Sequence, residues 1–152
     1  MRWKRPRQML NRLARERELG RTRNLLVAAT GTGKTVVAAL DYRALCRAQG
    51  GQPRLLFVAH RVEILRQALR SPAFGEVLAE GRAPDSYDHL FASIQSVASA
   101  DLLERFGPDY WHTVVIDECH HLPAQSFDAF ALPGVQRAAG LSGSQDGNFV
   151  LS

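Results

Sequence analysis

Unbroken apolar runs alternate with segments of helical spacing along this chain. Asn24–Ala29 and Arg54–Ala59 are runs of the first kind, as are His89–Ser93 and Val114–Ile116. Each is three to six residues long and apolar on both sides of the pleat, the pattern of a strand buried in a parallel sheet. Between them, Thr35–Ala48 repeats apolar residues at Val36, Val37, Leu40 and Leu45, and Gly50-Gly51 ends it. His60–Arg70 places Val62, Leu65 and Leu69 on one face before Ser71-Pro72. Both read as crossover helices. Upstream, Arg5–Leu19 has Pro6 suited to a first helical turn, Met9, Leu10, Leu13 and then Leu19 as its apolar stripe, and Gly20 as a stop. Residues 73–86 are punctuated by Gly75, Gly81 and Pro84 and offer a short strand at Glu76–Leu78. Short helices follow at Ile94–Ala98, near Asp101–Phe106 and at Ser126–Leu132, with a last strand at Ala138–Ser142. The expectation is one α/β domain whose mostly parallel sheet is covered on both faces.

Composition changes this picture little. The 152 residues are 45% hydrophobic, enough for one core and hardly two. No run reaches the ~18 apolar residues of a membrane span, and the charged start lacks the apolar centre of a signal peptide, so a cytoplasmic protein is expected. Cys46 and Cys119 have no metal or redox spacing. Charge changes more: residues 1–23 hold nine Lys/Arg against Glu16 and Glu18, a local +7 in a chain of net +4, leaving −3 for the rest. A basic flank fits nucleic acid and fits a solvated helix almost as well.

The candidate chemistry lies where strands end. Ala28-Ala29-Thr30-Gly31-Thr32-Gly33-Lys34-Thr35 stands between the first strand and the first crossover helix, the context of a phosphate-binding loop. Thr30 and Thr32 fill the turn, and Gly31 and Gly33 let backbone N–H groups approach phosphate oxygens. Lys34 faces the β and γ phosphates, and the Thr35 hydroxyl is suited to Mg²⁺. The first Gly of the usual G-x-x-x-x-G-K-[ST] pattern is Ala28 here. At the end of the fourth strand, Asp117 is placed to hold Mg²⁺ and Glu118 to orient or deprotonate water. Two other accounts compete there: acids at a helix N-terminus, and a zinc site from Cys119, His120 and His121. At two further strand ends, His60 and Arg61, then Ser93 and Gln95, are candidate backbone contacts for nucleic acid. Trp3 beside Lys4 and Arg5 can stack on a base or cover a core edge.

Taken together, these motifs resemble the first RecA-like lobe of a superfamily-two DEAD/DEAH-type helicase, and most of all the branch that includes type III restriction enzyme helicase subunits. Ala28–Thr35 resembles motif I in its A-x-T-G-x-G-K-T form. Asp117-Glu118-Cys119-His120 resembles the D-E-x-H box, in which His120 is implied to link the nucleotide site to motif III. Arg5-Pro6-Arg7-Gln8 resembles the upstream R-P-x-Q segment, whose Gln recognises adenine. Phe57–Arg61 and Phe91–Ser96 resemble the two strand-end motifs that touch nucleic acid. The resemblance implies a RecA-like P-loop three-layer fold, ATP and Mg²⁺ as ligands, and single- or double-stranded DNA as partner. It also implies a basic N-terminal helix over 1–23 and an ATP-binding domain over 24–152.

Two departures bear on activity. Gly140-Leu141-Ser142-Gly143-Ser144-Gln145 stands where the family has G-L-T-A-T-P, which puts the coupling of hydrolysis to movement in question. The sequence also closes at Ser152, before any second lobe. In the family that lobe supplies an arginine finger, worth roughly 10³–10⁵ in rate in related chemistry. The expected function is the ATP-binding lobe of a DNA-directed motor, weak alone and completed by another chain. A nucleotide-gated binding module and a vestigial helicase fragment are the alternatives.

Overall fold

The computed structural model describes residues 4–28, 34–59, 76–78, 84–99, 101–107, 109–117, 137–143 and 150–151. Helix α1 (Lys4–Glu18) leads into β1 (Arg23–Ala28), and α2 (Lys34–Gln49) leads into β2 (Leu55–Ala59). Then come β3 (Glu76–Leu78), β4 (His89–Ser93), α3 (Ile94–Ser99), α4 (Leu102–Phe106), β5 (Thr113–Ile116), β6 (Arg137–Gly143) and β7 (Val150–Leu151). The expected strands and helices in these residues are present, most of them within a residue of their expected limits. The helices expected at His60–Arg70 and Ser126–Leu132 lie outside the described residues.

The strands form one sheet in the order β3-β4-β2-β5-β6-β1-β7. Every pair is parallel except β1 with β7, where Leu26 and Val27 oppose Leu151 and Val150. Period-two alternation divides the core into two. Leu55, Phe57 and Ala59 of β2, Phe91 of β4 and Val115 of β5 face one side. There they meet Met9 and Leu13 of α1 and Val37, Tyr42 and Leu45 of α2. Leu56, Val58, Leu90, Val114 and Ile116 face the other side, against Val97 of α3 and Leu102 of α4. The outcome is a three-layer α/β/α fold.

Two apolar stripes differ from those expected. Leu19 is 63% exposed, because α1 stops at Glu18 and the chain turns at Gly20. Gly20 has φ +82°, and its N–H donates to Arg17 O (2.9 Å) while Arg21 N–H donates to Glu16 O (3.0 Å). This is a Schellman close that a side chain at Gly20 would strain. On α2 the inward face is Val37, Ala38, Tyr42 and Leu45, and Val36 turns outward, 46% exposed. Helix α1 belongs to the core: Met9 and Leu13 are both buried against the sheet and α2.

At the amino edge of the sheet, Trp111 anchors the connections. Its Nε1–H donates to Tyr87 O (2.9 Å), and its ring meets Phe106 and Tyr110 edge-on, with centroids 5.4 and 4.9 Å apart. Arg54 lies over the Tyr110 ring at 4.4 Å, and the Tyr110 hydroxyl donates to Asp88 Oδ1 (2.6 Å).

Candidate nucleotide site at the carboxyl edge of the sheet

In a parallel sheet the carboxyl ends of the strands share one edge, and ligands collect there. β1 ends at Ala28, whose strand partner is Gly143, and α2 begins at Lys34. Ala28, where the usual pattern has Gly, is therefore the last residue of a strand and needs no left-handed backbone. β5 ends at Ile116 and Asp117 follows. Ile116 and Leu25 both pair with Gly140 of β6, so β5 and β1 flank one strand, about 10 Å apart at ~4.8 Å per strand. Lys34 and Asp117 thus stand at one edge on either side of β6.

Both side chains are largely shielded from water, with Lys34 7% and Asp117 4% exposed. The Asp117 N–H donates to Val58 O (2.8 Å), which continues the β2–β5 ladder one residue past β5 and fixes where the carboxylate leaves the sheet. Lys34 sits at the N-terminus of a 16-residue helix. Backbone N–H groups there are unsatisfied within the helix, and the dipole adds positive potential. A shielded cation at a helix start with a shielded carboxylate two strands away can hold a polyanion and its metal counter-ion. Among the described residues no cluster of His, Cys, Asp and Glu could hold a metal by itself. Thr30, Gly31, Thr32, Gly33, Glu118 and His120 lie outside the described residues, as does the Thr35 side chain.

The other candidates are distributed unevenly. Gln8 is exposed on α1, on the face away from Met9 and Leu13. Ser93 closes β4 and caps α3: its Oγ accepts the Ser96 N–H (3.1 Å) and donates to Ser96 Oγ (2.8 Å). Its hydroxyl is thereby engaged and buried, while Gln95 on the first turn of α3 is exposed. His60 and Arg61 follow β2 but are outside the described residues. Sequence reading did not find the ion pair between Arg17 of α1 and Asp41 of α2, formed through both guanidinium Nη atoms and both carboxylate oxygens. Partners 24 residues apart on two helices leave no local pattern.

Comparison with known proteins gives this geometry its relatives. Residues 4–139 match the family model described as type III restriction enzyme, res subunit. The Type I restriction enzyme EcoAI endonuclease subunit of Escherichia coli is 31% identical over 81% of this chain and 16% of its own length. A fragment structure of an HsdR subunit of a type I restriction enzyme from Vibrio vulnificus is 27% identical. It covers 92% of this chain and 25% of its own, with a TM-score of 0.67. The SWI2/SNF2 ATPase core of Sulfolobus solfataricus, solved in complex with dsDNA, shares the fold at TM-score 0.68 and 17% identity. That match covers 91% of this chain and 31% of the other. The chain therefore spans between a sixth and a third of these relatives. It belongs to the type III restriction enzyme res subunit family, as a first RecA-like lobe of helicase type.

Proposed function

We propose that the chain is the ATP-binding lobe of a DNA-directed helicase or translocase, binding ATP with Mg²⁺ and hydrolysing it in response to nucleic acid. The observation that supports this most is the convergence of shielded Lys34 and shielded Asp117 at one sheet edge. Lys34 and the start of α2 hold the β and γ phosphates, with the Thr30–Gly33 backbone around them. Asp117, with the Thr35 hydroxyl, holds Mg²⁺, which when bound offsets charge on the phosphate oxygens. Glu118, one residue further along, orients the attacking water and accepts its proton. Gln8 reads the adenine, and His120 connects the nucleotide to the Gly140–Gln145 segment. His60, Arg61 and Gln95 contact the DNA backbone, with Ser93 setting the start of the helix that bears Gln95. A chain bearing the second lobe completes the motor, as the larger size of the relatives suggests. The cytoplasm is the proposed setting; among the described residues no helix is long and apolar enough to cross a membrane.

The test is ATP hydrolysis by the purified chain, with and without single-stranded and duplex DNA, beside Lys34→Ala and Glu118→Gln. Lys34→Ala should lose triphosphate binding, and Glu118→Gln should bind ATP but hydrolyse it less. Triphosphate affinity unchanged in Lys34→Ala would sink the phosphate assignment. Tight Mg·ATP binding with no DNA-stimulated turnover would turn the reading to a nucleotide-gated binding module.

A further inference from the structure

The Arg17–Asp41 pair lies between α1 and α2, its side chains 13% and 16% exposed. Leu13, Leu26, Val37, Tyr42 and Leu141 line the same space. Arg17 Nε is also buried and finds no acceptor among the described residues. Stability alone explains this arrangement poorly. A shielded ion pair is often no better than apolar side chains of similar volume, and a buried donor left over adds cost. What a guanidinium fork on a carboxylate does supply is direction, because its paired bonds form in one orientation. It fixes the slide and rotation of α1 against α2.

That constraint has a consequence at the carboxyl edge. Helix α1 hands over to β1 at the strand's start, and α2 begins just past the strand's end. Both helices therefore run from the carboxyl edge of the sheet towards the amino edge. Lys34 lies seven residues before Asp41, about 10 Å along α2, and Gln8 nine residues before Arg17, about 14 Å along α1. The two lie on the same side of the ion pair, each on a helix that the pair locks.

We propose that Arg17 and Asp41 are positioning residues. They hold Gln8 at a set distance from Lys34 and so determine how well the chain tells adenine from other bases. This rests on the nucleotide reading above. A base reader on α1 and a phosphate holder on α2 act on one molecule only if the helices keep one register. Loss of that register spares the phosphate contacts, which all belong to α2 and its preceding loop, and costs base discrimination.

The experiment measures Mg·ATP and Mg·GTP affinity by calorimetry on the full chain, as wild type, Arg17→Met/Asp41→Leu, Arg17→Lys and Lys34→Ala. The double variant replaces the pair by apolar side chains and should fold, with a melting temperature near that of wild type. It should still bind triphosphate, but its preference for ATP over GTP should fall roughly tenfold, about the worth of one well-placed hydrogen bond. Wild-type preference in the folded double variant overturns the proposal. Should the double variant not fold, Arg17→Lys decides, since it keeps the charge and loses the fork; unchanged preference there overturns it equally. Lys34→Ala separates the two readings. If it loses triphosphate while the double variant keeps its base preference, only the positioning role fails. If it binds like wild type, or if wild type does not prefer ATP, the nucleotide reading falls and this proposal with it.

Discussion

Trp111→Phe and Trp111→Ala test whether the two edges of the sheet do separate work. Trp111 is among the largest fully buried side chains and sits just before β5, at the amino edge. Truncating a buried Trp to Ala costs about 3–5 kcal/mol in transfer and cavity terms. Losing the edge-on contacts with Phe106 and Tyr110 adds about 0.5–1.5 kcal/mol each. The Tyr87 carbonyl loses its Nε1–H donor, but water can reach it in a surface connection, so about 1 kcal/mol suffices there. Because the first figure already contains part of the ring contacts, about 5 kcal/mol is expected for Trp111→Ala, and roughly half of that for Trp111→Phe. A domain holds about 5–15 kcal/mol in all, so Trp111→Ala should be close to unfolding at 25 °C. Urea melts followed by far-ultraviolet circular dichroism read this directly. With a slope of about 2 kcal/mol/M, Trp111→Phe should shift the midpoint by about 1 M. Asp117 lies six residues further on, about 20 Å along an extended chain. Folded Trp111→Phe should therefore bind Mg·ATP as wild type does. A Trp111→Ala loss below about 1.5 kcal/mol, or a Trp111→Phe that folds normally but binds ATP tenfold more weakly, would refute the reasoning.

Three more outcomes are expected. Asp41→Ala leaves the Arg17 guanidinium shielded without its carboxylate and should cost about 3–5 kcal/mol in a urea melt; a loss under 1 kcal/mol would mean that the pair is solvent-screened. Burial first, then the neighbouring Cys46, raises the Tyr42 hydroxyl well above the usual tyrosine value. A raised folded value contributes stability that is complete below the unfolded pKa near 10 and is lost as pH rises beyond it. Tyr42→Phe should thus show a shallower stability loss above pH ~10 than wild type, and an equally steep alkaline limb would count against the burial of this phenol. Arg7 and Arg15 are exposed on α1. If that face holds phosphates, Arg7→Gln/Arg15→Gln should lower the salt slope of DNA binding by about two while leaving the melting temperature unchanged. An unaltered slope would make the face a solvated one. Deleting residues 1–23 cannot replace this pair, because it also strips Met9 and Leu13 from the core.

The legible parts of the fold were those with a short repeat. β2, β4 and β5 are continuous apolar runs, and α2 follows a strand and ends at paired glycines, so local pattern sufficed. Strand order was not legible: β1 lying between β6 and β7 depends on pairings more than a hundred residues apart. β7 has two residues in its ladder, too few to show any period. On α1 and α2 the apolar spacing reads one position too wide, at Leu19 and Val36, because spacing alone does not say where a cap turns the chain or which way a first turn faces. At the candidate site, the strand–loop–helix pattern singles out Lys34, and the rule that ligand groups gather at carboxyl ends singles out Asp117. Ser93 shows the limit of that rule: a hydroxyl at a strand end serves as well to start the next helix, and here it does so.

The place of β1 also governs when during synthesis the carboxyl edge of the sheet can be completed. The strand that ends at Ala28 has β6 and β7 as its neighbours, and Gly143, opposite Ala28, is made 115 residues later. At roughly 5–20 residues per second that is a wait of about 6–23 s. During that wait both edges of β1 lack their partners, and α1, β1 and α2 can associate only through their side chains. Pairings of such long range are slow to close and set the pace of folding. The carboxyl edge that brings Lys34 and Asp117 to either side of β6 accordingly cannot be complete until β6 has been made.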